Sequence, residues 1–571
     1  MIMDFIVEYS LPILAALLLI IFYLGLPGLS GCTLPDGSGG RLDRRDYLIM
    51  AAISLGYAAV AFWGLGNAGS PESFVNMEQR SLTIELEQDG AESLMLYSGV
   101  GIGSYEIEYA PEGGEFSSLA SFSQSHAEVL KWNTVELERP LGAGQLRITG
   151  KGNVWLGELA ALDAEGNRLT LSSAESAICD EQQFCPKEQT FMNSSYFDEI
   201  YHARTAWEHL NGVYPYEITH PPLGKIIISW GIALFGMTPF GWRFSGTLFG
   251  VLMLPLMYVF LKKLLGGRTA PAAGTLVFAA DFMHFVQTRI STIDTYAVFF
   301  ILLMYLFMYL FCSRHRLRYL ALSGLFFGLG AASKWTCLYA GAGLALIWGL
   351  YWVANSARGF RAFLKNCGFC LVFFVLLPCC IYYLAYIPYG QARGLELFSG
   401  EYLKMVLDNQ EYMFNYHSGV DASHPYSSRW YQWVLDIRPI LYYLQYMPEG
   451  LRSSFGAFVN PFLCWGGLIG LFVMAWLALA RRDRRAGFIL LGYLTQLVPW
   501  MFISRITFEY HYFPSTVFLV LAMGYIFRLM ELNGRRGRAY AWGFALGCLG
   551  LFVLFYPALS GAPVDLSLIH I

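Results

Sequence analysis

Long runs of apolar residues, separated by short polar segments, make up most of the chain. A helix needs roughly 20 mostly apolar residues to cross the hydrocarbon core of a bilayer. Runs that approach this length predict twelve membrane-spanning helices, near residues 11–28, 47–66, 243–262, 269–287, 291–311, 318–333, 336–353, 367–387, 456–480, 486–503, 514–530 and 539–556. The pattern is typical of a polytopic α-helical membrane protein.

Clusters of Lys and Arg mark the cytoplasmic loops of a membrane protein. Six short basic loops follow odd-numbered predicted spans, at RLDRRD (41–46), KKLLGGR (262–268), SRHRLR (313–318), 358–365, RRDRR (481–485) and RRGR (535–538). Twelve spans with both chain ends outside place all six loops in the cytoplasm. Asp4 and Glu8, with no Lys or Arg, precede the first apolar run, which favours a retained helix over a cleaved signal peptide.

Two further segments predict helices that lie at the membrane surface before the third span. Residues 222–237 are apolar, but at 1.5 Å per residue they extend only about 24 Å, short of a hydrocarbon core of roughly 30 Å. Counting them as a span would also place the five later basic loops outside. Residues 199–211 are amphipathic and predict a second juxtamembrane helix.

Alternating polar and apolar residues between 67 and 190 predict an inserted extracytoplasmic β-sandwich. The alternation occurs at SLTIELEQ (81–88), YEIEY (105–109), VELERP (135–140), QLRITG (145–150) and VWLGELAALD (154–163), with Gly and Pro between the runs. The pattern resembles a galactose-binding jelly roll. A packing role and a ligand-binding role both stay open for this domain.

Composition and charge narrow the class of protein. Only 14% of residues are charged and 56% are hydrophobic, against about 25% charged residues in an ordinary soluble protein. This excludes a disordered, collagenous or nucleic-acid-binding chain and argues against a wholly soluble enzyme. Residues 70–190 carry a net charge of −13, which leaves +9 for the rest of the chain.

Cys179 and Cys185 bracket the loop CDEQQFC. A disulfide between them and two free thiols are both open as alternatives.

Ionisable residues in apolar segments are costly to bury and are usually functional. On the predicted topology they gather at the outer face, at Asp281, His284, Arg289, Asp294, Lys334, Arg505, Glu509, His511, Asp198, Glu199, His202, His220, Lys225 and Arg243. We therefore expect an outward-facing polar chamber at the membrane interface.

The segment YFDEIYHA (196–203) places Asp198 and Glu199 just before a predicted surface helix. The two side chains should point in different directions, so one can face a substrate while the other pairs with a structural Arg or Lys. A carboxylate beside a hydroxyl group can act as a general base. Capping of the helix is the alternative role for such a pair.

Two cations near this segment are candidates for binding an anion. Lys225, in HPPLGK (220–225), lies in the first turn of a predicted helix, where the helix dipole disfavours a cation unless an anion such as phosphate is near. Arg243 begins a predicted span and can pair with a carboxylate or bind a phosphate through two hydrogen bonds. Structural anchoring is the alternative for both residues.

Several motifs resemble those of phospholipid-carrier-dependent protein O-mannosyltransferases of bacteria, relatives of the dolichyl-phosphate-mannose–protein mannosyltransferases. They are FDEIYHA (197–203), HPPLGK (220–225), WRFSGTLFG (242–250), RISTIDTYAVFF (289–300), ASKW (332–335), YHSGVDASHPYSSRWYQW (416–433) and RITFEYHYFP (505–514). The resemblance spans about residues 190–565 and implies a GT-C glycosyltransferase fold. It maps Asp198 onto the family's acceptor-activating aspartate and Arg243 onto a functionally important arginine.

The resemblance implies a polyprenyl-phosphate donor of mannose, a Ser or Thr acceptor in an exported protein, and inversion at the anomeric carbon. We expect Asp198 and Glu199 to be catalytic. The expected donor-binding residues are Arg243, Lys225, His220, Lys334, Arg505, His511, Asp294 and Arg289. No cofactor or metal is predicted, although Asp198, Glu199 and His202 leave a divalent cation open. The expected location is the cytoplasmic membrane, with the active site facing outside.

The predicted organisation has five parts and a separate tail, namely two N-terminal spans (1–66), the β domain (67–190), the catalytic membrane region (191–387), a large outer loop (388–455), four C-terminal spans (456–565) and LSLIHI (566–571). The tail reads as translated adapter sequence, so we do not interpret His570. The MIR domain that eukaryotic members carry in a later loop has no counterpart here, and the β domain precedes the Asp-Glu motif instead. Glu509 stands where an apolar residue is expected. Two other functions stay open, a transferase acting on a glycan or lipid acceptor, and a transporter or flippase.

Overall fold

The computed structural model describes residues 39–420 and 423–565. The predicted first span (11–28) and the tail (566–571) lie outside the described residues. The chain divides into two compact units: one comprises Gly64–Asn211 and Ile228–Ser245, and the other contains the remaining described residues.

Helices account for most of the second unit, as the apolar runs predict. In the described part of the chain, eight helices are long and apolar enough to cross a membrane: Arg44–Phe62, Pro239–Leu265, Asp294–Arg314, Cys337–Ala354, Phe360–Ala392, Pro461–Ala480, Glu509–Leu532 and Gly534–Ser560. Large apolar side chains on them stay exposed, such as Val353 (75%) and Leu479 (81%), which is expected of surfaces that face lipid. The polytopic helical architecture is therefore confirmed, whereas the number of twelve spans is not.

Several predicted spans are shorter or interrupted. The predicted span 269–287 is broken into Thr269–Ala279 and Phe282–Arg289, because Asp281 caps the second helix by accepting a hydrogen bond from the His284 N–H at 3.1 Å. The predicted span 486–503 is helical over Arg484–Leu497 and then tightens into a 3₁₀ turn that contains Pro499. The predicted span 318–333 is the helix Leu317–Ser333.

Helix Phe360–Ala392 changes its hydrogen-bonding pattern in the middle. Residues Val372–Leu376 form a π-helical turn just before Pro378, which lacks an N–H group for a regular helix. Helix Leu317–Ser333 packs against this turn. A Cβ atom on Gly324 would lie 2.2 Å from the Phe373 carbonyl oxygen, so only glycine allows the two backbones to approach this closely.

The two predicted juxtamembrane helices are present as Glu199–Leu210 and Leu223–Phe235, of 12 and 13 residues. The predicted loop 388–455 contains more regular structure than its sequence indicated. A 20-residue helix, Gly400–Gly419, is followed by the short helix Trp430–Leu435. Strands β9 (Ile440–Tyr446), β10 (Leu451–Ala457) and β11 (Val564–Asp565) then form an antiparallel sheet in the order β11-β10-β9.

The strand-rich domain of the first unit is built on two long antiparallel strands. Its strands are β1 (Val75–Asn76), β2 (Ser81–Leu86), β3 (Ala91–Pro111), β4 (Ser117–Gln124), β5 (Lys131–Leu141), β6 (Gly144–Leu162), β7 (Arg168–Leu169) and β8 (Leu171–Ser173). Strand β3 pairs with β6 from Ser93 opposite Leu162 to Pro111 opposite Gly144. The first half of β3 also pairs with β5, and its second half pairs with β4.

The predicted extracytoplasmic β domain is strand-rich, and all eight of its strands belong to one sheet. The register of β3 and β6 shifts between Ser98 and Gly101, where Gly101 has φ +106° and Gly152 on β6 has φ +84°. These positions bend the long strands, so that both halves of the sheet contribute to one core, including Leu94 and Ile107. The sequence suggested separate strands on either side of Gly152.

The thiols of Cys179 and Cys185 are free in the structure. Burial raises the pKa of each thiol to about 12. Both groups are therefore protonated and weakly nucleophilic at neutral pH.

Candidate active site

Asp198 lies at the start of helix Glu199–Leu210, in the first unit. It occupies the N-cap position, but its carboxylate makes no capping hydrogen bond. The capping alternative drawn from the sequence is therefore wrong for this residue. The preceding residue, Phe197, has φ +47°, a left-handed conformation that is unfavourable for a bulky side chain. Such conformations cost about 1–3 kcal/mol and are concentrated at functional sites, where the surroundings hold them in place.

Glu199 points away from the surface and forms a two-point ion pair with Arg243. Both the Nε–Oε1 and the Nη2–Oε2 distances are 2.8 Å, and the two side chains are no more than 1% exposed. The sequence predicted that one of the two carboxylates, Asp198 or Glu199, pairs with a structural cation. In the structure Glu199 forms this pair.

Arg243 uses all of its donors within the protein. Besides Glu199, Nη1 donates to the carbonyl oxygens of Leu65 (2.8 Å) and Phe191 (2.7 Å), and Nη2 donates to that of Ser194 (2.9 Å). Its five N–H groups therefore have five acceptors. In this conformation Arg243 fixes the segment that leads to Asp198, and no N–H group remains for a phosphate.

The middle of this helix is joined to the β domain. Arg204 donates to Glu208 at 2.8 Å and lies 2.9 Å from the His126 ring nitrogen of the β domain. Glu208 is 1% exposed, so the pair is shielded from solvent. The helix that begins at Asp198 is thus held at its start by Arg243 and further along by a contact with the β domain.

A second group of ionisable residues lies in the helical unit, around Lys225. The Lys225 ammonium group is fully buried and donates to the Glu217 carboxylate at 2.5 Å, and to the carbonyl oxygens of Glu217 (2.7 Å) and His220 (3.1 Å). The other Glu217 carboxylate oxygen lies 3.1 Å from His220 Nδ1. Glu217 therefore supplies the anion that the position of Lys225 at a helix start requires.

The sequence did not single out Glu217 or His417, although His417 lies in the quoted motif YHSGV. His417 Nε2 lies 2.8 Å from the Thr219 carbonyl oxygen, and its ring centroid lies 5.0 Å from that of His220. Asn409, on the same helix as His417, donates to the Ile218 carbonyl oxygen at 3.0 Å. The helix Gly400–Gly419 thus holds the segment around His220 in place.

Lys334 and Asp294 form another buried pair in this unit. The Lys334 Nζ atom lies 2.7 and 2.8 Å from the two carboxylate oxygens of Asp294. It also lies 5.6 Å above the centre of the Tyr510 ring. The charge of Lys334 is thus balanced, but the ammonium group retains donor capacity beyond this carboxylate.

Arg505 differs from the other candidate cations. Among the described residues, no hydrogen-bond acceptor or acidic side chain contacts its guanidinium group. Its charge acts on His417 together with that of Lys334. Burial, then the neighbouring His220 and these two cations, lowers the pKa of His417 to about 4. Arg505 and Lys334 thus both contribute positive potential at His417.

Arg289 and His511 are the other two predicted site residues. Arg289 donates to the carbonyl oxygens of Ala61 (3.0 Å) and Trp63 (2.9 Å), at the C-terminal end of helix Arg44–Phe62. A cation is favourable at this end of a helix. The ring of His511 packs 4.4 Å from each of the Trp500 and Tyr510 rings.

Comparison with known proteins gives matches over much of the helical unit. A family model described as dolichyl-phosphate-mannose-protein mannosyltransferase matches residues 219–383. A second, described as the C-terminal four TMM region of protein-O-mannosyltransferase, matches residues 402–569. The polyprenol-phosphate-mannose–protein mannosyltransferase of Mycobacterium tuberculosis is 25% identical over 446 residues, which cover 65% of this chain and 84% of that protein.

The relative of the same name from Mycolicibacterium smegmatis is 26% identical over 446 residues, with the same coverage of 65% and 84%. Among solved structures, the Pmt1–Pmt2 protein O-mannosyltransferase complex of Saccharomyces cerevisiae bound to the sugar donor superposes with a TM-score of 0.58. That match has 14% identity and covers 66% of this chain and 88% of the other, which supports the fold. From these matches, the chain is a GT-C glycosyltransferase of the protein O-mannosyltransferase family.

Proposed function

We propose that this enzyme transfers mannose from a polyprenyl-phosphate-mannose donor to Ser or Thr hydroxyl groups of exported proteins. The observation that carries the proposal is the cluster around Arg505. This cation has no acidic partner among the residues that the structure describes, and it acts together with Lys334 on His417, which contacts His220. A lipid-linked phosphate is an anion that these two cations can bind. The names of the mycobacterial relatives supply the sugar and the protein acceptor.

Asp198 is the proposed general base. Its carboxylate makes no capping hydrogen bond, and the neighbouring Glu199 is held in the ion pair with Arg243. In the proposed reaction, the acceptor oxygen attacks the anomeric carbon of mannose as Asp198 takes the hydroxyl proton. The bond between that carbon and the phosphate oxygen breaks, and the bonding electrons leave with polyprenyl phosphate. A single displacement of this kind inverts the anomeric carbon.

Arg505 and Lys334 are the proposed donor-phosphate ligands. Negative charge increases on the leaving phosphate as the glycosidic bond breaks, because the transition state resembles an oxocarbenium ion. Cations that are already in place stabilise the transition state, in which the phosphate carries more negative charge, more than they stabilise the ground state. This difference lowers the barrier. Lys225 and Arg243 instead have positioning roles, because their donors are occupied by Glu217 and Glu199.

The proposed location is the cytoplasmic membrane, with the reaction on its outer side. Support comes from the six basic loops, which the positive-inside rule assigns to the cytoplasm. A donor lipid would then reach the enzyme from the bilayer, and exported proteins would supply the acceptor.

The test uses purified protein in lipid, polyprenyl-phosphate-mannose and a peptide rich in Ser and Thr, with the product identified by mass spectrometry. Wild-type protein should mannosylate the peptide, and Asp198→Asn should reduce the rate by about 10²–10⁴-fold, the usual contribution of a general base. Asp408→Asn, at an exposed position on helix Gly400–Gly419, is the matched control and should keep the wild-type rate. Full activity of Asp198→Asn would exclude it as the base.

Arg505 is tested in the same assay. Arg505→Ala should lower kcat/KM by a factor of roughly 10² or more, as loss of one stabilising group does in other enzymes. Arg361→Ala removes a cation from an exposed position and should have no effect. If a glycan or a lipid accepts mannose and the peptide does not, the acceptor is not a protein.

A further inference from the structure

Three carboxylates meet in the β domain, and none of them is assigned to the transfer reaction. Glu158 lies on β6, and Asp180 and Glu181 lie in the loop between Cys179 and Cys185. One oxygen atom from each carboxylate lies within 4.8 Å of the others. None of the three forms an ion pair with a described residue, so negative charge accumulates at this point without a protein cation.

Glu158 provides independent evidence for a ligand. Its side chain is completely buried, and its Oε1 atom has no hydrogen-bond donor among the described residues. Only its Oε2 atom is used, by the Glu181 N–H at 2.9 Å. A buried carboxylate oxygen without a partner is costly, because it has lost its hydration and gained nothing in exchange. A bound cation would remove this cost.

The surroundings already hold the loop in a suitable conformation. Glu181 Oε2 accepts hydrogen bonds from the N–H groups of Glu72 (2.9 Å) and Ser73 (3.1 Å) and from the Ser73 hydroxyl group (2.9 Å). Glu181 is therefore fixed, with its second oxygen still available. Asp180 is exposed and can complete a coordination sphere together with water.

We propose that Glu158, Asp180 and Glu181 form a Ca²⁺ site that joins β6, the CDEQQFC loop and the segment around Ser73. The chemistry favours this ion, because Ca²⁺ prefers carboxylate oxygens at about 2.3–2.6 Å and accepts water and irregular geometry. Two oxygens bound to one Ca²⁺ ion are then at most about 5 Å apart, and these oxygens meet that limit. Mg²⁺ binds at about 2.1 Å and requires a near-ideal octahedron, which makes it the poorer fit.

The experiment uses the full-length protein in a neutral detergent after treatment with EGTA. CaCl₂ is titrated by isothermal calorimetry, and thermal unfolding is followed with and without 1 mM Ca²⁺, a concentration typical of weak extracellular sites. Wild-type protein should bind one Ca²⁺ per chain and unfold at a higher temperature when Ca²⁺ is present. MgCl₂ should bind more weakly.

Asp180→Asn is the main variant, because the residue is exposed and its replacement should not impair folding. It should weaken Ca²⁺ binding by roughly tenfold or more, since the site loses one of its ligand charges. Glu158→Gln should abolish binding while folding normally without Ca²⁺, because an amide avoids the buried charge. Glu112→Gln, at an exposed position of the same domain, should bind Ca²⁺ like wild type.

The proposal is overturned if Ca²⁺ produces neither binding heat nor a change in unfolding temperature in wild-type protein. It is also overturned if Asp180→Asn and Glu158→Gln bind Ca²⁺ as tightly as wild type does, because the ion would then lie elsewhere. Equal affinity for Mg²⁺ would exclude the assignment to Ca²⁺. These outcomes do not depend on mannosyl transfer, so they are separate from the test of the proposed function.

Discussion

Arg243 and Glu199 are joined by two hydrogen bonds of 2.8 Å, and both side chains are buried. This pair lies directly beside Asp198, the proposed base. The same guanidinium group binds three carbonyl oxygens, of Leu65, Phe191 and Ser194. Arg243 therefore holds the chain before Phe197 through these carbonyl oxygens and the chain after it through the Glu199 carboxylate, which explains how the unfavourable conformation of Phe197 persists.

Replacing Glu199 should affect stability as well as activity. Glu199→Gln leaves the Arg243 charge buried without its counterion, and breaking such a pair costs about 3–5 kcal/mol. We expect a clearly lower unfolding temperature, measured by thermal denaturation in detergent, and little transfer activity. Asp198→Asn should lose activity while unfolding at the wild-type temperature. If both variants unfolded like wild type, the Arg243–Glu199 pair would have no structural role.

Glu217 should prove equally important for folding, because it is the counterion of the fully buried Lys225. Glu217→Gln leaves this ammonium group in a site shielded from water, and we expect a loss of about 3–5 kcal/mol of stability. Glu401→Gln, at an exposed position in the first turn of helix Gly400–Gly419, is the control and should change stability little. A normal unfolding temperature for Glu217→Gln would show that Lys225 finds another partner or loses its proton.

The sequence predicted those parts of the fold that depend on residue type and spacing alone. Apolar length identified the long helices, and the short reach of residues 222–237 separated the helix Leu223–Phe235 from them. Alternation identified the strands of the β domain. It did not show that residues 145–150 and 154–163 form one strand, because Gly152 indicates a turn as long as the partner strand β3 is not known.

The candidate site was predictable only in part, for a different reason. Sequence shows which residues carry charge, but a cation's function depends on what neutralises it. Lys225, Arg243 and Arg505 were equivalent candidates by their positions. The structure separates them, because the first two have buried carboxylate partners and Arg505 has none among the described residues. Glu217, an ordinary acidic residue in its sequence context, could not be recognised as a counterion.

Close packing at Gly324 gives a prediction about the membrane region. In Gly324→Ala the new Cβ atom would lie 2.2 Å from the Phe373 carbonyl oxygen, so the helix Leu317–Ser333 must move away from the π-helical turn. We expect a loss of about 1–3 kcal/mol, seen as a lower unfolding temperature. Gly349→Ala is the control, because its Cβ would meet no atom within 4 Å. Equal stability of the two variants would mean that the helices can separate without cost.

Donor binding should depend on pH through His417. Burial, His220 and the cations Arg505 and Lys334 lower the pKa of His417 to about 4 in the donor-free enzyme. A bound phosphodiester, which keeps one negative charge between pH 5 and 8, would partly cancel these cations and raise that pKa. Binding then takes up a proton, so the affinity for donor should increase several-fold as the pH falls from 7 to 5.

The measurement is donor affinity by calorimetry at pH 5, 6 and 7, in wild type, His417→Gln and His220→Gln. The temperature must stay well below the unfolding temperature. The unfolded chain protonates this histidine near pH 6.5, whereas the folded chain does so near pH 4, so the free energy of unfolding decreases as the pH is lowered from 7 to 5. His417→Gln should bind donor with a much weaker pH dependence. His220→Gln should retain most of it, because His417 and the two cations that act on it are still present. An affinity that does not change with pH in wild type would mean that the phosphate binds away from His417, and with it from Arg505.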